Sequence, residues 1–184
     1  VASLRRRSAP RAERRPVSVA LRFRRRFSMA HRLASGSSLK CATPHGHDEY
    51  VVVELEPQDL ERLDGEANMV VEFARAKGRW HRFVDERLDH GFQLGERDPL
   101  LALAREHFPG WRLVVTPGDP TTELMAACLA AKCQAILDDE GVGLRVRRLT
   151  LEETPTNAVV VEGDFRALLP RADGWWSRPD ESTE

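Results

Sequence analysis

The chain has 184 residues, 41 % hydrophobic and 31 % charged, with a formal net charge of -1, the balance of an ordinary soluble globular domain. That charge excludes a chain-wide basic surface for nucleic acid or membrane, and no apolar run is long enough to span a bilayer. Three cysteines are too few for a disulfide framework in a chain of this size, so a reducing cytoplasm is the expected compartment.

Residues 1–16 (VASLRRRSAPRAERRP) are rich in Arg, Ala and Pro and poor in aliphatic side chains. They cannot bury enough apolar surface to offset their ordering entropy, and a disordered basic extension is expected. A transit peptide or a polyanion-binding arm is the sharper reading, but Glu13 weakens the first and no motif supports either. No apolar h-region follows the basic residues, which argues against a secretory signal. A single folded domain is expected over residues 17–165, with 166–184 a loosely held tail.

From Val17 to Met29, the residues Val17, Val19, Leu21, Phe23 and Phe27 alternate with polar ones, the period of a half-buried strand. Ala34–Pro44 reads as a Gly/Ser-rich loop, and Glu49–Glu56 (EYVVVELE) as a second, β-branched strand with few edge-protecting charges. Glu72–Leu88 places Phe73, Ala76, Trp80, Phe83, Val84 and Leu88 at helical spacing. Leu100–His107 suits a short helix and Trp111–Val115 a short strand. Pro120-Thr121-Thr122-Glu123 has the chemistry of a helix start, and Gly141 and Gly143 lie past that helix's end. Leu144–Glu153 and Ala158–Glu162 are predicted strands around a Thr-Pro-Thr-Asn turn. The sum is an α+β fold of ββααββ order. A four-stranded antiparallel sheet would carry two helices on one face, with open edges that invite pairing between subunits.

His31 with His45-Gly46-His47 carries the strongest chemical signal. Alternation along a strand puts His45 and His47 on one face, and His31 follows a strand able to pair with them. Three neutral imidazoles make a catalytic zinc set with an open fourth position; the bland alternative is three scattered surface histidines. Cys41, in a polar loop, is either a fourth, structural ligand or a free thiol beside the metal, where its pKa would fall. Cys128 and Cys133 lie within the second helix and read as core filler. Asp89-His90 can relay a proton, and Glu153 can accept paired hydrogen bonds from a guanidine-like edge; each alone is a weak signal.

Taken together, Phe27-Ser28-Met29-Ala30-His31-Arg32-Leu33, Cys41-x-x-x-His45-Gly46-His47 and Met69-Val70-Val71-Glu72-Phe73 with Lys77 resemble the 6-pyruvoyl-tetrahydropterin synthase/6-carboxytetrahydropterin synthase family. Leu88-Asp89-His90, Pro120-Thr121-Thr122-Glu123 and Glu153-Thr154 follow in family order. The resemblance spans residues 18–163. It implies a T-fold whose sheet edges pair into an oligomeric barrel, typically a homohexamer, with active sites between subunits. It matches His31, His45 and His47 to zinc ligands, Cys41 to a catalytic thiol, and Asp89 and His90 to a relay pair. Glu153 matches the carboxylate that anchors a pterin ring, and Thr121, Thr122 and Glu123 match the segment lining its pocket.

The chain departs from the pattern at Glu72, where Asp is usual, and in Asp48-Glu49-Tyr50, where an aromatic comes earlier. It is also longer between His90 and Pro120. The implied substrate is 7,8-dihydroneopterin triphosphate. The Cys-x₃-His spacing resembles the 6-carboxy branch of queuosine biosynthesis; the 6-pyruvoyl product is the alternative. A non-catalytic zinc-stabilised T-fold module would not need Cys41, Asp89 and His90 together, and a tunnelling-fold pterin aldolase or epimerase would not need three histidines.

Overall fold

A computed structural model describes residues 19–35, 38–60 and 62–184. The expected basic extension over residues 1–16 lies outside the described residues. The elements in chain order are β1 (Leu21–His31), α1 (Leu39–Ala42), β2 (His45–Pro57), α2 (Phe73–Phe83), β3 (Gly91–Gly95) and α3 (Pro99–His107). After these come β4 (Leu113–Thr116), α4 (Thr122–Glu140), β5 (Leu144–Thr154) and β6 (Asn157–Glu162). A π-helical turn, Val84–Leu88, continues α2.

The architecture is the expected α+β one, with a larger sheet. Its order is β4-β3-β1-β2-β5-β6. The antiparallel set β1-β2-β5-β6 corresponds to the four expected strands, and two short parallel strands extend it beyond β1. Trp111–Val115 suggested β4, but β3 gave no period: its buried residues include Gly91, Gln93 and Gly95 as well as Leu94. The run EYVVVELE is not an edge. It lies in β2, paired by β1 on one side and β5 on the other, so its apolar content belongs to a central strand, with Val51, Val52, Val53 and Leu55 buried, rather than to a bare edge.

One sheet face holds the core. Phe23, Phe27, Met29 and His31 of β1 and Glu49, Val51, Val53 and Leu55 of β2 are buried on it at two-residue steps. It packs against α4, which is buried all round from Met125 to Leu137 because helix α2 and the C-terminal residues cover what the sheet does not. Thr121 caps α4 by accepting from the Leu124 N–H, and Gly141, left-handed at φ 59°, ends it. Glu72 occupies the N-cap of α2 without making a side-chain cap bond.

The tail is docked, contrary to the expectation of a loose end. Trp175 and Trp176 are buried, and the Trp175 indole donates to the Val115 carbonyl at 2.8 Å. The Val115 N–H donates to the Thr183 carbonyl at 2.8 Å, which covers the outer edge of β4. Lys132, buried in α4, donates to the carbonyls of Arg178 at 2.8 Å and Asp180 at 2.6 Å. Pro and Asp suggested mobility, but two tryptophans supply large apolar areas and a buried cation needs those carbonyls.

Burial pushes the Lys132 amine down from 10.5 to about 8, with the Asp180 charge opposing. Between those values the unfolded chain holds the extra proton, so unfolding free energy from this group rises with pH. Denaturant titrations from pH 8 to 10 are expected to show that rise in the wild type and a flatter profile in Lys132→Met. Equal slopes would contradict this account of Lys132.

Candidate metal centre and substrate site

The pairing of β1 with β2 sets His31 directly opposite His45 and Met29 opposite His47. All three imidazoles leave the sheet on the core face, and their ligand atoms lie within 4.8 Å of one another. Gly46 makes this pairing possible: a Cβ there would stand 2.8 Å from the Met29 carbonyl oxygen of β1. His31 Nδ1 lies 3.1 Å from the Pro120 carbonyl oxygen and His45 Nδ1 lies 2.8 Å from that of Thr43. A carbonyl only accepts, so both Nδ1 atoms carry the proton and both Nε2 atoms present lone pairs. Those two Nε2 atoms are 3.1 Å apart. Facing lone pairs at that distance repel unless a cation lies between them, so the donor set fits a metal ion. Burial lowers the His31 pKa, with the Pro120 carbonyl opposing, and so favours the neutral form that ligation requires.

Cys41 sits half-buried in the short helix α1. Its carbonyl accepts from the Leu33 N–H at 2.8 Å and ties the two loops around the centre together. Among the described residues the ligand cluster consists of the histidines alone, without Cys41. Cys128 and Cys133 are fully buried core residues; burial pushes the Cys128 thiol up to about 12 and that of Cys133 higher still.

Asp89 and His90 follow the π-helical turn. One Asp89 oxygen accepts from the Ser28 N–H at 2.8 Å and the other lies 2.9 Å from His90 Nδ1. The His90 backbone is left-handed at φ 60°, a strain of about 1–3 kcal/mol for a residue with a Cβ. It is held there because its N–H donates to the Ser28 carbonyl at 2.6 Å and a Cβ on Gly91 would stand 2.8 Å from the Leu88 carbonyl oxygen. An open cleft of about 850 Å³ joins His45 to Asp89, His90, Phe92 and Trp111, so the metal centre and the Asp-His pair border one space.

On the other side of the centre, Glu153 accepts from Thr122 Oγ1 at 2.7 Å. Its charge is near enough to raise the His31 pKa against burial. The neighbouring Glu152 points to the opposite face, where it pairs with Arg24 at 2.7 Å. The start of α4 thus touches both ends of the site, through the Pro120 carbonyl on His31 and Thr122 on Glu153. Thr121 serves as the helix cap, and Glu123 is exposed in the first turn.

The sequence reading passed over two buried polar groups. Glu49 is 3 % exposed and Gln93 1 %, and an oxygen of each lacks a hydrogen-bond partner among the described residues. Burial, with Glu153 adding to it, pushes the Glu49 carboxyl up to about 8. Extending the two-residue step from His45 and His47 would have found Glu49. Gln93 lies opposite His31 on a strand with no sequence signal.

Comparison with known proteins agrees with this geometry. Residues 20–164 match the profile of the 6-pyruvoyl tetrahydropterin synthase family. A Halobacterium salinarum protein named "Probable 6-carboxy-5,6,7,8-tetrahydropterin synthase" is 34 % identical over 130 residues, 71 % of this chain and 77 % of its own length. An uncharacterized protein from Wolinella succinogenes superposes with a TM-score of 0.66 at 24 % identity, covering 80 % of this chain and 99 % of its own. The 6-pyruvoyl tetrahydropterin synthase of Caenorhabditis elegans does so with a TM-score of 0.55 at 23 % identity, covering 82 % and 99 %. Among the described residues no helix is long and apolar enough to cross a membrane. With the T-fold and the three-histidine centre both in place, the match across most of the chain makes this protein a member of the 6-pyruvoyl tetrahydropterin synthase family.

Proposed function

We propose that the protein is a zinc-dependent, cytoplasmic 6-carboxy-5,6,7,8-tetrahydropterin synthase of queuosine biosynthesis. It converts 7,8-dihydroneopterin triphosphate and one water into 6-carboxytetrahydropterin, acetaldehyde and triphosphate. The observation that carries this reading is the convergence of three imidazoles with Glu153 on one side and a cleft containing Asp89 and His90 on the other. The identity with the Halobacterium protein supports the 6-carboxy branch over the 6-pyruvoyl one.

His31, His45 and His47 hold the zinc. When bound, it supplies Lewis acidity toward the hydroxyl oxygens of the substrate's side chain. Glu153 accepts hydrogen bonds from the ring N–H and the 2-amino group, while Thr122 fixes the carboxylate and Thr121 and Glu123 border the ring. Cys41, as thiolate, removes a proton from the side chain, and His90 exchanges protons with it while Asp89 holds the imidazole's tautomer. Mass spectrometry of the products is expected to find the 6-carboxy pterin and acetaldehyde. A 6-pyruvoyl product would move the protein to the other branch, and no turnover at full zinc loading would reject both. Cys41→Ala is expected to keep its zinc and lose turnover, since a base is not needed to hold the ion; loss of zinc would make Cys41 a ligand.

Glu153→Gln replaces one acceptor oxygen by a donor and removes the charge. It is expected to weaken substrate binding by about one to two decades, from a loss of roughly 1.5–3 kcal/mol, with metal content unchanged. Glu152→Gln, on the opposite face, is expected to change binding little. The reverse ranking in equilibrium binding would reject the ring-anchor assignment.

The assembly is proposed to be a homohexamer with active sites between subunits. Among the described residues β3 covers β1 only from Met29 to His31 and Asp89 and His90 occupy Ser28, so the outer edge of β1 over Leu21–Phe27 stays open, as does that of β6. Pairing β1 of one subunit with β6 of the next removes both edges. Light scattering is expected to give six times the subunit mass; a monomer at micromolar concentration would reject the barrel.

A further inference from the structure

Among the described residues, none donates to Oε2 of Glu49. It follows His45 and His47 at the next two-residue step of β2, so its side chain leaves the strand on the imidazole face. It is 3 % exposed, and Oε2 lacks a hydrogen-bond partner among the described residues. Its cross-strand neighbour on β1 is Phe27. Carrying the β2–β5 register one step past Tyr50↔Glu152 sets it level with Glu153. A phenyl ring has no hydrogen to give, and Glu153 is itself an acceptor, already engaged by Thr122. A dry carboxyl oxygen without a donor costs stability that an aliphatic residue would not, and the same face continues with Val51, Val53 and Leu55. Such a group is kept where its donor arrives from outside the chain.

A reduced pterin ring offers several donors on the two edges that meet at its 2-amino group. These are N3–H, the two hydrogens of the 2-amino group, and N8–H. One carboxylate, binding side-on, satisfies N3–H and the nearer amino hydrogen. The farther amino hydrogen and N8–H then point away from it on the other edge, either side of the N1 acceptor. We propose that Glu49 is a second substrate-binding carboxyl, accepting from the edge of the reduced pterin ring that Glu153 leaves free. This rests on the reading of Glu153 as the ring anchor. The two carboxyls then bracket the 2-amino group, and the site selects a ring that carries both that group and a reduced, protonated N8.

Glu49→Leu and Glu49→Gln, prepared as zinc-loaded full-length protein beside the wild type and Glu153→Gln, test this. The probe is 7,8-dihydroneopterin without its phosphates, so that binding reports on the ring end. Glu49→Leu is expected to bind it at least tenfold more weakly, at unchanged zinc content, while its ligand-free melting midpoint stays level or rises. Glu49→Gln keeps a neutral acceptor and is expected to fall between. Fully oxidised neopterin, which lacks N8–H, is expected to show a smaller difference between wild type and Glu49→Leu.

Glu49→Leu binding as tightly as the wild type, while Glu153→Gln binds weakly, would overturn the proposal and leave the ring anchor standing. A lowered ligand-free midpoint or an altered solution mass in Glu49→Leu would also overturn it, because the carboxyl would then be holding the fold or a subunit contact. Failure of the wild type to bind dihydroneopterin would overturn both readings.

Discussion

The close antiparallel pairing of β1 with β2 is the constraint on which the rest depends. It runs without a break from Leu21↔Leu55 to His31↔His45, and at its far end the strands approach so closely that only glycine fits between the two histidines of β2. A slip of one residue would send His45, His47 and Glu49 to the other face and Gly46 and Asp48 into the core. The buried Phe27, Val51, Val53 and Leu55 forbid that slip, so the hydrophobic core specifies the metal centre. Bringing imidazoles together in a half-dry site is unfavourable by itself. An ion bound there would return that free energy, so metal binding would be coupled to folding.

The segment Asp119–Thr122 is the second support. Asp119 accepts from the Ala34 and Ser35 N–H groups at 2.9 Å each, fixing the chain just beyond His31. Pro120 sets the His31 tautomer, Thr121 caps α4 and Thr122 holds Glu153. Helix α4 is immobilised between the sheet and the tail, and its first turn passes that rigidity to both ends of the site. Docking of the tail through Lys132 and Trp175 is therefore linked to the site through α4, although neither residue contacts it.

Much of this was legible in the sequence where a period or a cap carried the information. Alternation in LRFRRRFSMAH and the spacing of Phe73, Ala76, Trp80 and Phe83 gave their elements, and Pro120-Thr121-Thr122-Glu123 with Gly141 marked the bounds of α4 to within a turn. His-x-His gave the shared face directly. Legibility failed where structure depends on partners distant in the chain. A five-residue strand with two glycines is a strand only because β1 and β4 flank it. EYVVVELE suits an edge or a centre equally until its neighbours are known. The tail's two tryptophans are apolar anchors, but nothing local says what they anchor to. Glu49 was visible as a departure from the family pattern, yet only the register shows that it faces Glu153.

The central claim is that three imidazoles, two of them turned to present Nε2 by the carbonyls of Pro120 and Thr43, hold one zinc while Cys41 stands apart. X-ray absorption at the zinc edge of the purified protein tests this most directly. Nitrogen scatterers at about 2.0–2.1 Å from imidazole, with no sulfur in the shell, are the expected result. A sulfur scatterer at about 2.3 Å would make Cys41 a ligand and contradict the account.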